Sequence, residues 1–231
     1  MGSDDLFKKR KLRAAKEKRK KTERKNHDRV LIVCEGEKTE PFYFNGLRSA
    51  YKLDTANIKI TGDCGSDPMS IVDKAIKEYE KSKQDGNCFD RVYCVFDKDA
   101  HPKYQDAINK IKQLSTGKNK KPFFVVCSVP CFEYWLLLHF VYTTQPFSAS
   151  GKNSIADNVI KELKKYIPTY EKGQNDIFVL LKDKLNFAIQ NTKRVNQESV
   201  ENNTDNPSTT IVGLVEYLIG LSKTNGAVLD N

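Results

Sequence analysis

Two apolar runs in this chain end in acidic residues, and together they limit the folds that the chain can adopt. Leu31–Cys34 leads into Glu35, and Val92–Phe96 leads into Asp97 and Asp99. Continuous runs of β-branched and aromatic residues are typical of strands that are buried on both faces of a parallel sheet. Because the ligands of such sheets bind beyond the carboxyl ends of the strands, we expect these carboxylates to lie together at one edge of the sheet.

The acidic residues at these strand ends suggest a bound cation. Residues two apart in a strand share a face, so Asp97 and Asp99 point the same way if the strand geometry persists. Closely packed carboxylates repel each other unless one takes a proton or a cation lies between them. Oxygen ligands of this kind suit Mg²⁺ or Mn²⁺. The sequence therefore predicts a metal site that includes Glu35, Asp97 and Asp99.

Predicted strands and helices alternate along the first part of the chain. The predicted strands cover 29–34, 57–61, 91–96 and 122–128. The helices after the first three strands cover about 39–53, 68–83 and 103–115, with Thr39 as the N-cap of the first. This alternation predicts an α/β fold, with a mostly parallel sheet and helices on both faces.

The pattern changes after Pro130. Phe132–Phe140 is apolar nearly all round, which is typical of a buried helix. Further helices are predicted near 152–166, 175–191 and 208–222, with Ser208 or Thr209 as the last N-cap and a polar surface loop over 192–206. We therefore divide the chain into an N-terminal arm over 1–28, an α/β core over 29–142, and a helical C-terminal part over 143–231 that packs on the core.

Glu133 is a further candidate for the acidic site. On a helix it shares a face with Leu136, Leu137 and Phe140. A carboxylate on a buried apolar face is costly unless it is paired or binds a cation. The alternative is an acid in the first helical turn that the helix dipole favours. The same alternative applies more strongly to Glu40.

The net charge of +9 is unevenly distributed. Residues 1–28 contain 12 Lys and Arg against 5 Asp and Glu, a net +7, which leaves only +2 for the rest of the chain. We expect this arm to contact phosphates of nucleic acid, although it could instead dock an acidic protein partner. The candidate contacts are Lys8, Lys9, Arg10, Lys11, Arg13, Lys18, Arg19, Lys20 and Lys21.

Several function classes are not expected. No apolar run approaches the roughly 20 residues that cross a bilayer, and the N-terminus lacks the apolar core of a signal peptide. The six cysteines form no CxxC pair, which fits a reducing compartment, so we expect a cytoplasmic protein without a membrane partner. The chain has neither a GxxxxGK[ST] nor a GxSxG motif, so neither ATP hydrolysis nor covalent catalysis is predicted.

The acidic motifs resemble those of a known family. Glu35-Gly36 with Asp97-x-Asp99 is similar to the Toprim fold, a metal-binding α/β module of topoisomerases, primases and some nucleases. The longer strings VCEGEKTEP at 33–41, CVFDKD at 94–99, PCFEYWLLLHF at 130–140 and NPSTT at 206–210 resemble the RloB family. That resemblance covers essentially the whole chain.

The resemblance to the RloB family implies a role in restriction-modification or anti-phage defence, often beside an ATPase partner. It also implies that Glu35 is the Toprim glutamate, that Asp97 and Asp99 bind metal, and that Glu133 completes the site. The predicted function is then an Mg²⁺- or Mn²⁺-dependent nuclease that cleaves RNA, tRNA or DNA. The alternative is a non-catalytic component of a defence complex that binds nucleic acid or a partner.

Overall fold

A five-stranded sheet forms the centre of the molecule. The computed structural model describes residues 28–53, 57–62, 65, 67–98 and 101–226. The strands are β1 Val30–Cys34, β2 Ile58–Thr61, β3 Arg91–Asp97, β4 Phe123–Val129 and β5 Ser208–Thr209. They lie in the order β2-β1-β3-β4-β5, with only β5 antiparallel to its neighbour. The predicted α/β class with a mostly parallel sheet is confirmed.

Helices cover both faces of this sheet. Those that follow β1, β2, β3 and β4 are α1 Thr39–Ala50, α2 Pro68–Gln84, α3 Tyr104–Ser115 and α4 Phe132–Leu137. The later ones are α5 Ile155–Leu163, α6 Ile177–Leu181, α7 Leu185–Glu201 and α8 Ile211–Gly226. Among the described helices, none has both the length and the apolar character that crossing a membrane requires.

β1 is buried over its whole length because its two faces pack into two separate clusters. Val30, Ile32 and Cys34 join one cluster with α1, α4 and the later helices, whereas Leu31 and Val33 join the other with α2 and α3. Burying one such aliphatic side chain contributes about 1.5–3 kcal/mol. The sheet is therefore held from both sides, and the ends of its central strands are fixed in place.

The start of α1 differs from the prediction. Thr39 is the first helical residue rather than the N-cap, and the N-cap residue, Lys38, makes no capping bond with its side chain. The Thr39 hydroxyl instead accepts a hydrogen bond of 3.0 Å from the backbone N–H of Gly173. This hydroxyl therefore joins α1 to a distant segment of the chain.

The predicted loop over 192–206 is wrong for residues 192–201, because α7 continues to Glu201, and it is confirmed for residues 202–206. Its buried face includes polar residues that hid the helical pattern in the sequence. The Thr192 hydroxyl donates a 2.8 Å hydrogen bond to the carbonyl of Ala188, and the Ser199 hydroxyl donates one of 3.1 Å to the carbonyl of Pro207. These bonds satisfy the polar groups inside the protein.

The short strand β5 was also missed. The sequence predicts Ser208 or Thr209 as the N-cap of the last helix, but both residues pair with β4, Ser208 with Val129 and Thr209 with Ser128. The Thr209 and Ser128 hydroxyls lie 2.9 Å apart in a hydrogen bond. Thr209 Oγ1 still accepts from the N–H of Ile211 at the start of α8, so it serves both elements.

The loop after β1 packs against the end of β2, and Gly62 allows that approach. A Cβ atom at Gly62 would lie 2.2 Å from the carbonyl oxygen of Gly36 and 2.7 Å from the Cα of Glu37. Both are backbone atoms, so they cannot move away without shifting the loop. Only a residue without a side chain fits here.

We predict that Gly62→Ala destabilises the protein. Overpacking of this kind costs about 1–3 kcal/mol, which lowers the melting temperature of a protein of this size by about 2–12 °C. Gly220→Ala in α8 is the matched control, since no heavy atom lies within 4 Å of its added Cβ. It should leave the melting temperature unchanged or raise it. Equal melting temperatures for Gly62→Ala and wild type would contradict the close packing of these loops.

Candidate functional site

A cavity of about 340 Å³ lies beyond the carboxyl ends of β1 and β3. Five acidic residues line it: Glu35 after β1, Glu37 in the loop that follows, Glu40 in the first turn of α1, Asp97 at the end of β3, and Glu133 in the first turn of α4. The structure thus brings together three of the predicted site residues and adds the buried Glu40 and the exposed Glu37. Asp99, the remaining predicted acid, lies outside the described residues.

Backbone donors hold two of these carboxylates in position. Glu35 Oε2 accepts a hydrogen bond of 3.0 Å from the N–H of Asp97. Asp97 Oδ2 in turn accepts one of 3.1 Å from the N–H of Phe132, the first residue of α4. These two bonds connect β1, β3 and α4 at the cavity, and they restrict the rotation of both carboxylates.

Glu40 is a site residue that sequence reasoning undervalued. Its side chain is only 6% exposed, and its Oε1 accepts a long hydrogen bond of 3.4 Å from the N–H of Gly36. The signal was present in the sequence, because Glu40, Tyr43, Phe44 and Leu47 share the helical spacing i, i+3, i+4, i+7 and are all buried. Glu40 therefore lies on the buried face of α1 rather than serving only as a helix-start acid.

The acids of the cavity disfavour one another's negative charge. Burial raises the pKa of Glu40 to about 7, and the Glu133 and Glu35 carboxylates add to this effect. Burial also raises the pKa of Asp97 well above its usual range, with further contributions from Glu40, Glu133 and Glu35. At neutral pH the cavity thus favours the uptake of protons or of a cation.

Glu133 is buried and is held by the C-terminal part of the chain. The Tyr170 hydroxyl donates a 3.2 Å hydrogen bond to Glu133 Oε1, and Lys172 Nζ lies 3.6 Å from the same oxygen. Burial lowers the pKa of Lys172, but Glu133 and the other acids outweigh this and raise it overall. Glu133 therefore lies in the first turn of α4 and also lines the acidic cavity. It is both a first-turn helix acid and a candidate site residue.

The chemistry of the donor set suits a hard divalent cation, since the acids of the cavity supply only carboxylate oxygens. The burial of Glu40 and Asp97 beside like charges also fits such an ion. In the described part of the chain, however, no three His, Cys, Asp or Glu side chains are arranged so that they could hold a metal ion. The metal site stays a prediction, and Asp99 is the predicted ligand that the structure does not describe.

Other candidate residues lie elsewhere. The basic residues of the arm, from Lys8 to Lys21, fall outside the described residues, so their contact with nucleic acid also stays a prediction. His139 is fully buried, its Nδ1 lies 3.0 Å from the carbonyl oxygen of Trp135, and burial lowers its pKa to about 4. This histidine is part of the core.

Lys172 and Tyr170 are site residues that sequence reasoning missed altogether. They lie between α5 and α6 in a segment without regular secondary structure. No periodic pattern marks such a segment, and nothing in its local sequence links it to Glu133. Only the packing of the C-terminal helices brings it to the cavity.

Comparison with known proteins identifies a family to which the chain is similar over most of its length. A family model described as RloB-like protein matches residues 30–218. The match spans β1 to β5 and includes Glu35, Glu40, Asp97 and Glu133. Neither the curated proteins nor the solved structures include a significant match.

We predict that Glu40→Gln stabilises the metal-free protein at neutral and higher pH. The pKa of Glu40 is about 7 in the folded state against an ordinary value of 4.5. The folded state therefore binds more protons between these values, and stability falls as pH rises through this window. Glutamine removes this effect, with a gain of up to about 3 kcal/mol above pH 7. Urea unfolding in EDTA at pH 5 and pH 8 measures it.

Glu78→Gln provides a control of opposite sign. Lys59 Nζ lies 2.7 Å from Glu78 Oε2, and this hydrogen bond lowers the pKa of Glu78. The Glu78→Gln variant should therefore lose stability at pH 8, by less than about 1 kcal/mol. If the Glu40→Gln variant and wild type show the same pH dependence, the assignment of a perturbed acid at position 40 is wrong.

Proposed function

Because the chain belongs to the RloB-like family, and because acids from separate elements line one cavity at the carboxyl edge of its parallel sheet, we propose that it is a metal-dependent nuclease. It cleaves phosphodiester bonds of RNA, tRNA or DNA. Membership of the family suggests a role in restriction or antiviral defence. The convergence of Glu35, Asp97 and Glu133 is the observation that carries this proposal.

The proposed residues have distinct roles. Asp97 and Asp99 hold the principal cation, Glu35 positions or deprotonates the attacking water, and Glu133 completes a second cation site. When bound, Mg²⁺ or Mn²⁺ supplies Lewis-acid activation of the phosphate and of water. The hydrogen bond from the N–H of Asp97 to Glu35 supports this division, since it holds the Glu35 carboxylate against the backbone of Asp97.

The arrangement is compatible with a Toprim-like site. β1 and β3 are parallel neighbours, and Cys34 pairs with Val95. Glu35 and Asp97 consequently leave adjacent strands at the same edge of the sheet, where α/β proteins bind their ligands. Glu133 approaches from the first turn of α4, beyond β4.

The basic arm supplies contacts with nucleic acid that do not depend on sequence. Its positive charge stands apart from the acidic cavity in the sequence, so binding and cleavage are assigned to different parts of the chain. An ATPase encoded nearby is the proposed protein partner.

The first test is a cleavage assay with a panel of substrates. Purified full-length protein is incubated with DNA, total RNA and tRNA in Mg²⁺, in Mn²⁺ and in EDTA. Cleavage that requires metal supports the nuclease. If no substrate is cleaved while nucleic acid is bound, the protein is instead a non-catalytic binding component.

We predict that Glu35→Gln, Asp97→Asn and Glu133→Gln each reduce the cleavage rate by more than about 100-fold, since loss of even an outer-shell partner of a metal ligand costs about 10–100-fold. Each variant should remain folded, because removing one of several crowded carboxylates relieves repulsion. The rates are compared with that of Asp73→Asn, an exposed position on α2, which should match wild type. Unfolding of all three variants in a thermal melt would assign these acids a structural role instead.

We also predict that deletion of residues 1–27 weakens binding to nucleic acid of any sequence. The slope of log K against log salt should flatten, since fewer counterions are released. The deletion ends before Asp28, whose side chain hydrogen-bonds to Tyr217 of α8, so the described fold is left intact. Cleavage at saturating substrate should persist. Equal affinities and salt slopes for the full-length and truncated proteins would contradict the role of the arm.

A further inference from the structure

A segment of the C-terminal part borders the acidic cavity and is fixed on two sides. Tyr170 donates its hydroxyl to Glu133 on one side. On the other side, the N–H of Gly173 donates to Thr39 at the start of α1. Gly173 has φ +80°, and a Cβ atom there would lie 2.9 Å from the Cδ of Lys38. Lys172 lies between these two attachments, so the backbone that carries it is held at the edge of the cavity.

The position of Lys172 differs from that of an ordinary buried counterion. Its side chain is 59% exposed, whereas that of Glu133 is 4% exposed. Its Nζ lies 3.6 Å from Glu133 Oε1, which is longer than a good hydrogen bond, and that oxygen already accepts from Tyr170 at 3.2 Å. The ammonium group is therefore attracted to the cavity but remains accessible to a ligand that enters from solvent.

A phosphodiester that enters this cavity faces several carboxylates. It carries one negative charge, and further charge develops on its oxygens as the bond to the leaving group breaks. A cation that is already positioned where this charge develops stabilises the transition state more than the bound substrate. Among the described residues that line the cavity, only Lys38 and Lys172 are cationic, and of these two only Lys172 forms an ion pair with one of its acids.

We propose that Lys172 is a catalytic residue whose ammonium group contacts the scissile phosphate and offsets the negative charge of the transition state. This assignment rests on the proposed nuclease function and goes beyond it, because it gives the C-terminal part of the chain a direct role in the chemistry. It also specifies that the ligand of the cavity is a negatively charged phosphodiester rather than an uncharged group.

The test compares Lys172→Met, Lys172→Arg and Lys165→Met in the full-length protein. Lys172→Met should lower kcat by at least about 100-fold while KM changes by less than about threefold, as expected for a group that acts mainly in the transition state. Lys172→Arg keeps the charge and should retain more activity than Lys172→Met. Lys165 forms a surface pair with Glu162, away from the cavity, and Lys165→Met should match wild type.

Calorimetry of Mn²⁺ binding without substrate distinguishes a Lys172 that acts on the phosphate from a Lys172 that only holds Glu133 in position. If Lys172 acts on the phosphate, Lys172→Met should bind Mn²⁺ at least as tightly as wild type, since a cation beside the carboxylates has been removed. If Lys172 only positions Glu133, the same variant should bind Mn²⁺ more weakly, and that result would overturn the proposal.

The outcomes also distinguish this inference from the proposed function. If wild type cleaves and Lys172→Met cleaves with the same kcat, the role of Lys172 is overturned and the nuclease stands. If wild type cleaves no substrate with either metal, both are overturned. A low kcat in Lys172→Met with Mn²⁺ binding retained and partial activity in Lys172→Arg supports the assignment.

Discussion

A hydrogen bond between the ends of two neighbouring strands determines the geometry of the cavity. The N–H of Asp97 donates to Glu35 Oε2, and the Asp97 carboxylate accepts from the N–H of Phe132. β1, β3 and α4 are thereby connected through one aspartate. The strands can hold this contact because both are buried on two faces by apolar side chains, so their ends cannot shift independently.

The same contact concentrates negative charge in a place where it is unfavourable. Glu40 and Asp97 have raised pKa values, mainly because they are removed from water and secondarily because the other acids are near. A set of buried like charges lowers stability in the metal-free protein. Natural proteins tolerate such local instability mostly where a ligand is bound or chemistry is performed. The sheet and its two apolar clusters supply the stability that makes this possible.

The helical C-terminal part completes the cavity rather than only covering the sheet. Tyr170 and Lys172 contact Glu133, and Gly173 bonds to Thr39 at the start of α1. Residues from both sides of position 142 therefore line one cavity. A change in the packing of the C-terminal helices would move Lys172 and release Glu133 from its hydroxyl partner. The two parts of the chain are consequently coupled at the site.

The sequence by itself determined the α/β class and the meeting of Glu35 with Asp97, because buried strands have a recognisable composition and the carboxyl ends of parallel strands lie at one edge. It also indicated Glu133, through the helical spacing of its apolar neighbours. It misplaced the end of α7, where buried Thr192 and Ser199 resemble loop residues until their partners are known. Only the tertiary structure brought Lys172 and Tyr170 to the cavity, because their partner Glu133 is distant in the chain and no local pattern encodes such a contact. The helical spacing of Glu40 with Tyr43 and Leu47 indicates that it lies on the buried face of α1, but only the tertiary structure shows that this face lines the cavity, since that depends on what packs against it.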